Sequence, residues 1–295
     1  MGKKRKIQKE ENLKNVKKAK KNVVELPPVR SSEEAPITNN KWSNKERVLV
    51  FSSRGIGFRD RHLMKDFKVL MPHSKSETKM DKKDSLTVIN EICQMKNCTK
   101  CIYFESKRKT DLYLWMSNCP SGPSVRFDVQ NIHTLLELKL TGNCLKHSRP
   151  LLCFNEAFDE APHWSLLKEL LIQIFSTPRN HPKSQPFVDH VFSFTVADNR
   201  IWFRNYQAME EDGKLAEIGP RMVLNPIKIF RGSFEGEVLW QNPHYVSRIN
   251  IRRQIKLAKA NKYMDQVQQK KARKKRLSGI ITYKSDITDQ VFATN

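Results

Sequence analysis

The chain repeats itself. RVLVFSSRG (47–55) parallels RPLLCFNEA (149–157), and GPSVRFDVQNI (122–132) parallels GPRMVLNPIKI (219–229). Arg47 and Arg149 lie 102 positions apart, Gly122 and Gly219 lie 97 apart, and the markers keep one order. That is the signature of an internal duplication, so the fold must be two copies of one unit.

The two copies share the order strand, helix, hairpin, strand. VLVFSS (48–53) is a short run of β-branched and aromatic residues, read as a buried strand. A basic amphipathic helix is expected over about 57–71, with Phe58, Leu63, Phe67, Leu70 and Met71 inward, Arg59, Arg61, Lys65 and Lys68 outward, and Pro72 as its stop. A second helix is expected over 84–96, capped by Asp84 or Ser85, with Leu86, Ile89, Ile92 and Cys93 inside. Strands follow at 100–106 and 111–118 around the turn KRKT, and at 122–130. In the second copy, 162–178 is the clearest helix, Pro162 suiting its first turn. Residues 189–207 form a hairpin turning at Asp198-Asn199. The expected architecture is α/β: two similar halves, each a small mixed sheet packed with helices. The boundaries are 1–45 for a disordered basic tail, 46–245 for the folded domain (halves about 46–146 and 147–245), and 246–295 for a basic extension that is disordered or helical.

Charge marks the ends. The chain carries a net charge of +23. Residues 1–22 hold ten basic and two acidic side chains; residues 248–276 hold twelve and one, so these two stretches supply 19 of the 23 excess charges. Such blocks repel themselves and are matched to a polyanionic partner. Lys3, Lys4, Arg5 and Lys6 at one end, and Lys270, Lys271, Arg273, Lys274, Lys275 and Arg276 at the other, fit nuclear-import clusters or nucleic-acid patches. The opening residues are basic with no apolar stretch behind them, and no run has the length of a membrane helix. The expectation is a reducing compartment with free thiols and no membrane association.

Motifs for catalysis are missing. Gly55-Ile56-Gly57 is followed by Asp60 where a dinucleotide fingerprint needs glycine, and neither a nucleotide-phosphate loop nor a G-x-S-x-G elbow occurs. Cys98-x-x-Cys101, with Cys93 and Cys119, can be read as a zinc site, but no second C-x-x-C completes it, and the competing reading is small buried hydrophobes. No catalytic residue, metal or cofactor is assigned. Trp202, Phe203, Arg204 and Tyr206 share one strand, as do Tyr103 and Phe104 ahead of Lys107-Arg108-Lys109. Aromatics beside cations can stack bases, although alternate ones must face the core.

RHLMKDFKVLMPHSKSETKM (61–80), MKNCTKCIYFESKRK (95–109), LKELLIQIFSTPRNHPKSQPFVDHVFSFTVADNRIWFRNYQ (167–207) and EIGPRMVLNPIKIF (217–230) together resemble the Brix-domain superfamily over about residues 45–245. The resemblance implies two halves, each like an anticodon-binding domain of class II aminoacyl-tRNA synthetases. It implies a nucleolar, non-enzymatic assembly factor of the large (60S) ribosomal subunit. Its partners would be precursor large-subunit rRNA, the pre-60S particle and an assembly factor of the EBNA-binding-protein type. The helix at 57–71 with Pro72 matches the family motif compared with a sigma-factor segment, and Gly219–Arg221 matches a second hallmark. The residues assigned to RNA phosphates are Arg54, Arg59, Arg61, Lys65, Lys75, Lys79, Arg221, Arg252 and Arg253. The competing readings are a protein scaffold whose tails serve only nuclear import and retention, and an enzyme acting on RNA.

Overall fold

A computed structural model describes residues 42, 45–81, 83–138, 140–209, 213–279, 288 and 291 of the chain. The first copy of the repeat comprises β1 (Val48–Ser52), α1 (Phe58–Leu70), β2 (Ser74–Ser76), α2 (Val88–Met95), β3 (Lys100–Lys107), β4 (Asp111–Asn118), β5 (Ser124–His133) and a short α3 (Leu135–Leu138). The second comprises β6 (Arg149–Phe154), a 3-10 turn (Glu156–Phe158), α4 (Pro162–Phe175), β7 (Val188–Ala197), β8 (Arg200–Ala208), β9 (Leu215–Glu217), β10 (Arg221–Phe230) and β11 (Val238–Gln241). A long α5 (Arg248–Ser278) ends the described chain apart from two isolated residues. The repeat order is as the sequence predicts. The three-residue strands β2 and β9 and the four-residue β11 lack enough alternation to be read, and α2 starts later than expected. Residues 85–87 instead form a turn in which Ser85 Oγ accepts the Thr87 N–H at 3.2 Å.

The two small sheets are the two ends of one. The strand order is β2-β1-β3-β4-β5-β10-β8-β7-β6, with β11 on β10 and β9 on β8. In each copy the first strand runs parallel to the strand after the helix, and antiparallel hairpin pairing follows. The copies meet where β5 pairs antiparallel with β10, from Arg221↔His133 to Phe230↔Ser124. The repeated Gly-Pro stands at the entry to these two strands. Gly122 (φ +88°) and Gly219 (φ +94°) take the left-handed conformation that glycine tolerates, and a Cβ on Gly122 would lie 2.3 Å from the Arg231 carbonyl. Asp198 and Asn199, with φ of 53° and 56°, make the tight turn between β7 and β8.

Side-chain alternation gives the sheet two different faces. On one, Val48, Val50, Ile102 and Phe104 of the first copy join Phe192, Phe194, Ile201 and Phe203 of the second, under both α1 and α4. Phe67 of α1 packs its ring 5.7 Å from Phe175 and 6.0 Å from Phe203, both in the other copy. On the opposite face, Leu49, Phe51, Cys101, Tyr103 and Trp115 are covered by α2 and by Phe234 from the loop after β10. That loop is latched: Ser233 Oγ donates to Asn90 Oδ1 at 2.6 Å, and Ser124 Oγ donates to the Gly232 carbonyl at 2.7 Å. The second copy has no counterpart of α2. Residues 176–187 run there as coil and turns, and the outer face of β7 and β8 stays partly open.

A shared core predicts shared unfolding. Phe67→Ala removes a fully buried ring that touches both copies and should cost about 3–5 kcal/mol. Denaturant unfolding should show one transition displaced as a whole; displacement of only one of two resolved transitions would contradict the shared core. His73 gives a pH test. It is 2% exposed, and its Nε2–H donates to the Ile174 carbonyl at 2.9 Å, again between copies. Burial, partly offset by that hydrogen bond, lowers its pKa from 6.5 to about 4. The unfolded chain therefore takes up the proton first as pH falls. Stability is full above pH 6.5 and is lost between there and about pH 4, roughly 2 kcal/mol of it by pH 5. His73→Gln should remove this part of the pH dependence in urea titrations.

Candidate nucleic-acid interface

Helix α1 sets the first patch. Its buried residues are Asp60, Leu63, Met64, Asp66, Phe67 and Leu70. Positions 60, 63, 67 and 70 form the inward stripe, and Phe58 falls off it. Phe58 is 72% exposed, against the expectation that it faces the core; its ring lies 4.3 Å from His62 and under the Arg61 guanidinium at 5.6 Å. The two inward aspartates were not anticipated. Asp66 Oδ2 accepts the Leu135 N–H at 3.1 Å and so ties α1 to α3. Burial pushes both carboxyls up, opposed at Asp60 by Arg59 and Arg248, and at Asp66 by the Leu135 hydrogen bond and His62.

Around this stripe the assigned cations divide. Arg59, Lys65 and Lys79 are exposed and Arg61 is half-buried, and none of the four has an ion pair among the described residues. Arg54 pairs with Asp81 at 2.8 Å. Lys75 Nζ donates to the Lys96 carbonyl at 2.6 Å. Arg221 is committed: its Nε and Nη2 donate to the two carboxylate oxygens of Glu217 at 2.7 and 2.8 Å. Arg252 is ion-paired with buried Asp111. Arg253 beside it is exposed.

Helix α5 is rooted through its first turns. Ser247 Oγ caps it by accepting the Asn250 N–H. Arg248 Nε pairs with Asp128 at 2.8 Å, and its Nη2 donates to the Val129 carbonyl at 2.6 Å. Asp111 and Asp128 stand on adjacent strands β4 and β5, so two buried acids receive two arginines spaced one helical turn apart. Past this anchor α5 buries nothing over its 31 residues. Lys270, Lys271 and Arg273–Arg276 are all exposed on its last turns. Arg248 is the residue that sequence reasoning missed; it looked like one more charge in a basic run. Lys3, Lys4, Arg5 and Lys6 lie outside the described residues.

The aromatic strand splits by alternation. Ile201, Phe203 and Asn205 face in, while Trp202, Arg204 and Tyr206 face out and are partly exposed. They stand opposite Thr195, Ser193 and Val191 of β7. Tyr103 and Phe104 are both buried. Cys93, Cys98, Cys101 and Cys119 are free and pack in the core under α2. Among the described residues no group of three or more His, Cys, Asp or Glu is placed to hold a metal ion, and no helix is long and apolar enough to cross a membrane.

The class is therefore a duplicated α/β domain on one continuous sheet, with a basic helical arm anchored to its first half. Comparison with known proteins gives the family: the Brix domain matches residues 53–228, and the chain belongs to that family. Among its relatives, the ribosome biogenesis protein BRX1 homolog of Homo sapiens is 65% identical over 262 residues, covering 88% of this chain and 74% of that protein. The protein of the same name from Drosophila melanogaster is 57% identical over 250 residues, covering 83% and 70%. A solved structure, a probable ribosomal biogenesis protein from Aeropyrum pernix K1, superposes with a TM-score of 0.43 at 14% identity over 61% of this chain and 96% of its own.

The anchor of α5 predicts an asymmetric double mutant. Arg248→Ala strands Asp128, which is 1% exposed, without its cation and should cost about 3 kcal/mol. Adding Asp128→Asn should recover part of that loss in chemical denaturation. No loss in the single variant would show that the pair does not hold the helix.

Proposed function

We propose that this Brix-domain ribosome biogenesis factor acts without catalysis as an RNA-binding assembly factor for the large (60S) subunit. In this reading it holds precursor large-subunit rRNA within the pre-60S particle, in the nucleolus, together with an assembly factor of the EBNA-binding-protein type. The observation that carries the reading is α5: a 31-residue helix with no buried residue, a dense positive charge and a firm anchor. A solvated helix of like charges gains nothing from the fold and is destabilised by its own repulsion. Neutralisation by phosphates reverses that cost and releases counterions. The names of the relatives support the ribosomal setting, and the family resemblance supports the nucleolar and large-subunit assignment.

Contacts are assigned to cations that the fold leaves available. Arg59, Arg61, Lys65 and Lys79 form one group on and beyond α1, with Arg54 and Lys75 at its margin. Arg253 and the cluster from Lys270 to Arg276 lie along α5, and the latter, with Lys3–Lys6, also serves nuclear import. Arg221 and Arg252 reach RNA only by sharing their charge with Glu217 and Asp111. The rigid domain positions an RNA element while the arm extends the electrostatic reach.

Replacing Arg59, Arg61 and Lys65 together with Ala should weaken binding to structured precursor rRNA. The slope of log affinity against log salt should fall by about two, as each lost phosphate contact removes roughly 0.7–0.9. Unchanged affinity and slope would remove this patch from the interface. A chain that binds its protein partner but no RNA once the basic ends are deleted would favour the scaffold reading.

A further inference from the structure

The outer faces of the two copies carry different chemistry. Cross-strand registers make them comparable position by position. Leu49, Cys101 and Ser117 form one row in the first copy, and Leu151, Val191 and Tyr206 stand there in the second. The next row is Phe51, Tyr103 and Trp115 in the first copy and Cys153, Ser193 and Arg204 in the second. Beyond it, Glu105 and Tyr113 correspond to Thr195 and Trp202. In the first copy Leu49, Phe51, Cys101, Tyr103 and Trp115 are buried under α2. The second face lacks that cover, and Leu151 is 57% exposed. Where α2 meets Phe51, Tyr103 and Trp115, the second face has a thiol, a hydroxyl and a guanidinium. Such a floor is poor ground for an apolar helix, since its polar groups would be buried without partners.

What this face offers instead is a line of flat groups. Trp202, Arg204 and Tyr206 take alternate positions of β8, point outward and are partly exposed. Arg204 has no ion pair among the described residues. The groove beside the three is lined further by Ser193, Thr195 and Ala197, with no carboxylate. Ser193 and Thr195 set their hydroxyls opposite Arg204 and Trp202. Glu217, opposite Tyr206 on β9, is already neutralised by Arg221. Spacing decides what can lie on such a line. Alternate residues of a strand stand about 6.8 Å apart. Neighbouring bases in a helical strand are about 3.4 Å apart, half that distance. Successive bases can therefore meet the three groups only when unpaired and unstacked from one another. Aromatic rings and arginine planes stack on the face of any base, and hydroxyls reach base edges.

We propose that the outer face of β7 and β8 is a stacking platform for a short unpaired segment of RNA. Bases lie on Trp202 and Tyr206, one between them lies on the Arg204 guanidinium, and Ser193 and Thr195 hydrogen-bond to base edges. The proposal rests on the RNA-binding reading above and deepens it. The cations of α1 and α5 hold phosphates of any RNA, whereas this face selects single-stranded over paired RNA. A counterpart of α2 in the second copy would cover the platform.

The test titrates the full chain into a labelled single-stranded RNA octamer and a fully paired RNA hairpin, followed by fluorescence anisotropy at several salt concentrations. Trp202→Leu combined with Tyr206→Leu should weaken octamer binding about tenfold or more. Hairpin binding and the salt slope for the octamer should stay as they were, because no phosphate contact is lost. Trp202→Phe keeps a ring, so it should keep octamer binding while losing most of the tryptophan quenching that the octamer causes. Arg204→Lys keeps the charge and loses the plane. It should weaken octamer binding severalfold at an unchanged salt slope, and it carries the test if the double variant fails to fold. Unchanged octamer binding in these variants would overturn the platform and leave the RNA-binding reading intact. Equal losses for octamer and hairpin, or a lowered salt slope, would overturn base stacking and make Arg204 a phosphate contact. Unchanged RNA binding with loss of a co-purifying protein would make the face a protein interface instead. A native chain that binds neither RNA would overturn both the platform and the RNA-binding reading.

Discussion

The antiparallel pairing of β5 with β10 is the contact on which the rest of the molecule depends. Two ten-residue strands, one from each copy, exchange backbone hydrogen bonds along most of their length. Without that pairing each copy would expose a sheet edge, and exposed edges recruit other chains. With it, the edges are sealed and α1 and α4 are brought over one continuous apolar face. The Phe67, Phe175 and Phe203 rings then pack across the boundary, and His73 reaches the Ile174 carbonyl. The same pairing places Asp128 on β5, and so fixes where the basic arm can be anchored.

Charge is treated in two ways in this structure. Acidic groups are drawn inward: Asp60, Asp66, Asp111 and Asp128 are all buried, each near a cation or a backbone donor. Glu105 is held likewise by Arg126, Trp115 and Lys107. Many basic groups are left outside. Burying carboxylates against a minority of the cations leaves an outer surface more positive than composition alone would give. That surface suits a polyanion and steers its approach at low salt.

Much of the fold was legible because duplication repeats each signal. The strand–helix–hairpin–strand order, the Asp198-Asn199 turn and the Gly-Pro entries follow from local chemistry, which a sequence displays directly. Phe58 was misplaced because hydrophobicity sets a helix phase only when the first turn agrees; here Asp60 takes the inward position. The roles of Arg248 and Arg252 were not legible, since an arginine in a basic run declares no partner 120 or more residues away. The missing counterpart of α2 was foreshadowed only by the prolines and polar residues of 177–186.

In the proposed function, a rigid, two-copy domain would bind a particular RNA element and the basic arm would add reach to it. The most direct measurement is crosslinking of the full chain to RNA in cells, followed by sequencing of the attached fragments. Fragments concentrated in one region of precursor large-subunit rRNA are the predicted result. Fragments spread thinly over all abundant RNA would contradict it, and would mean that the charge of the chain ends dominates binding.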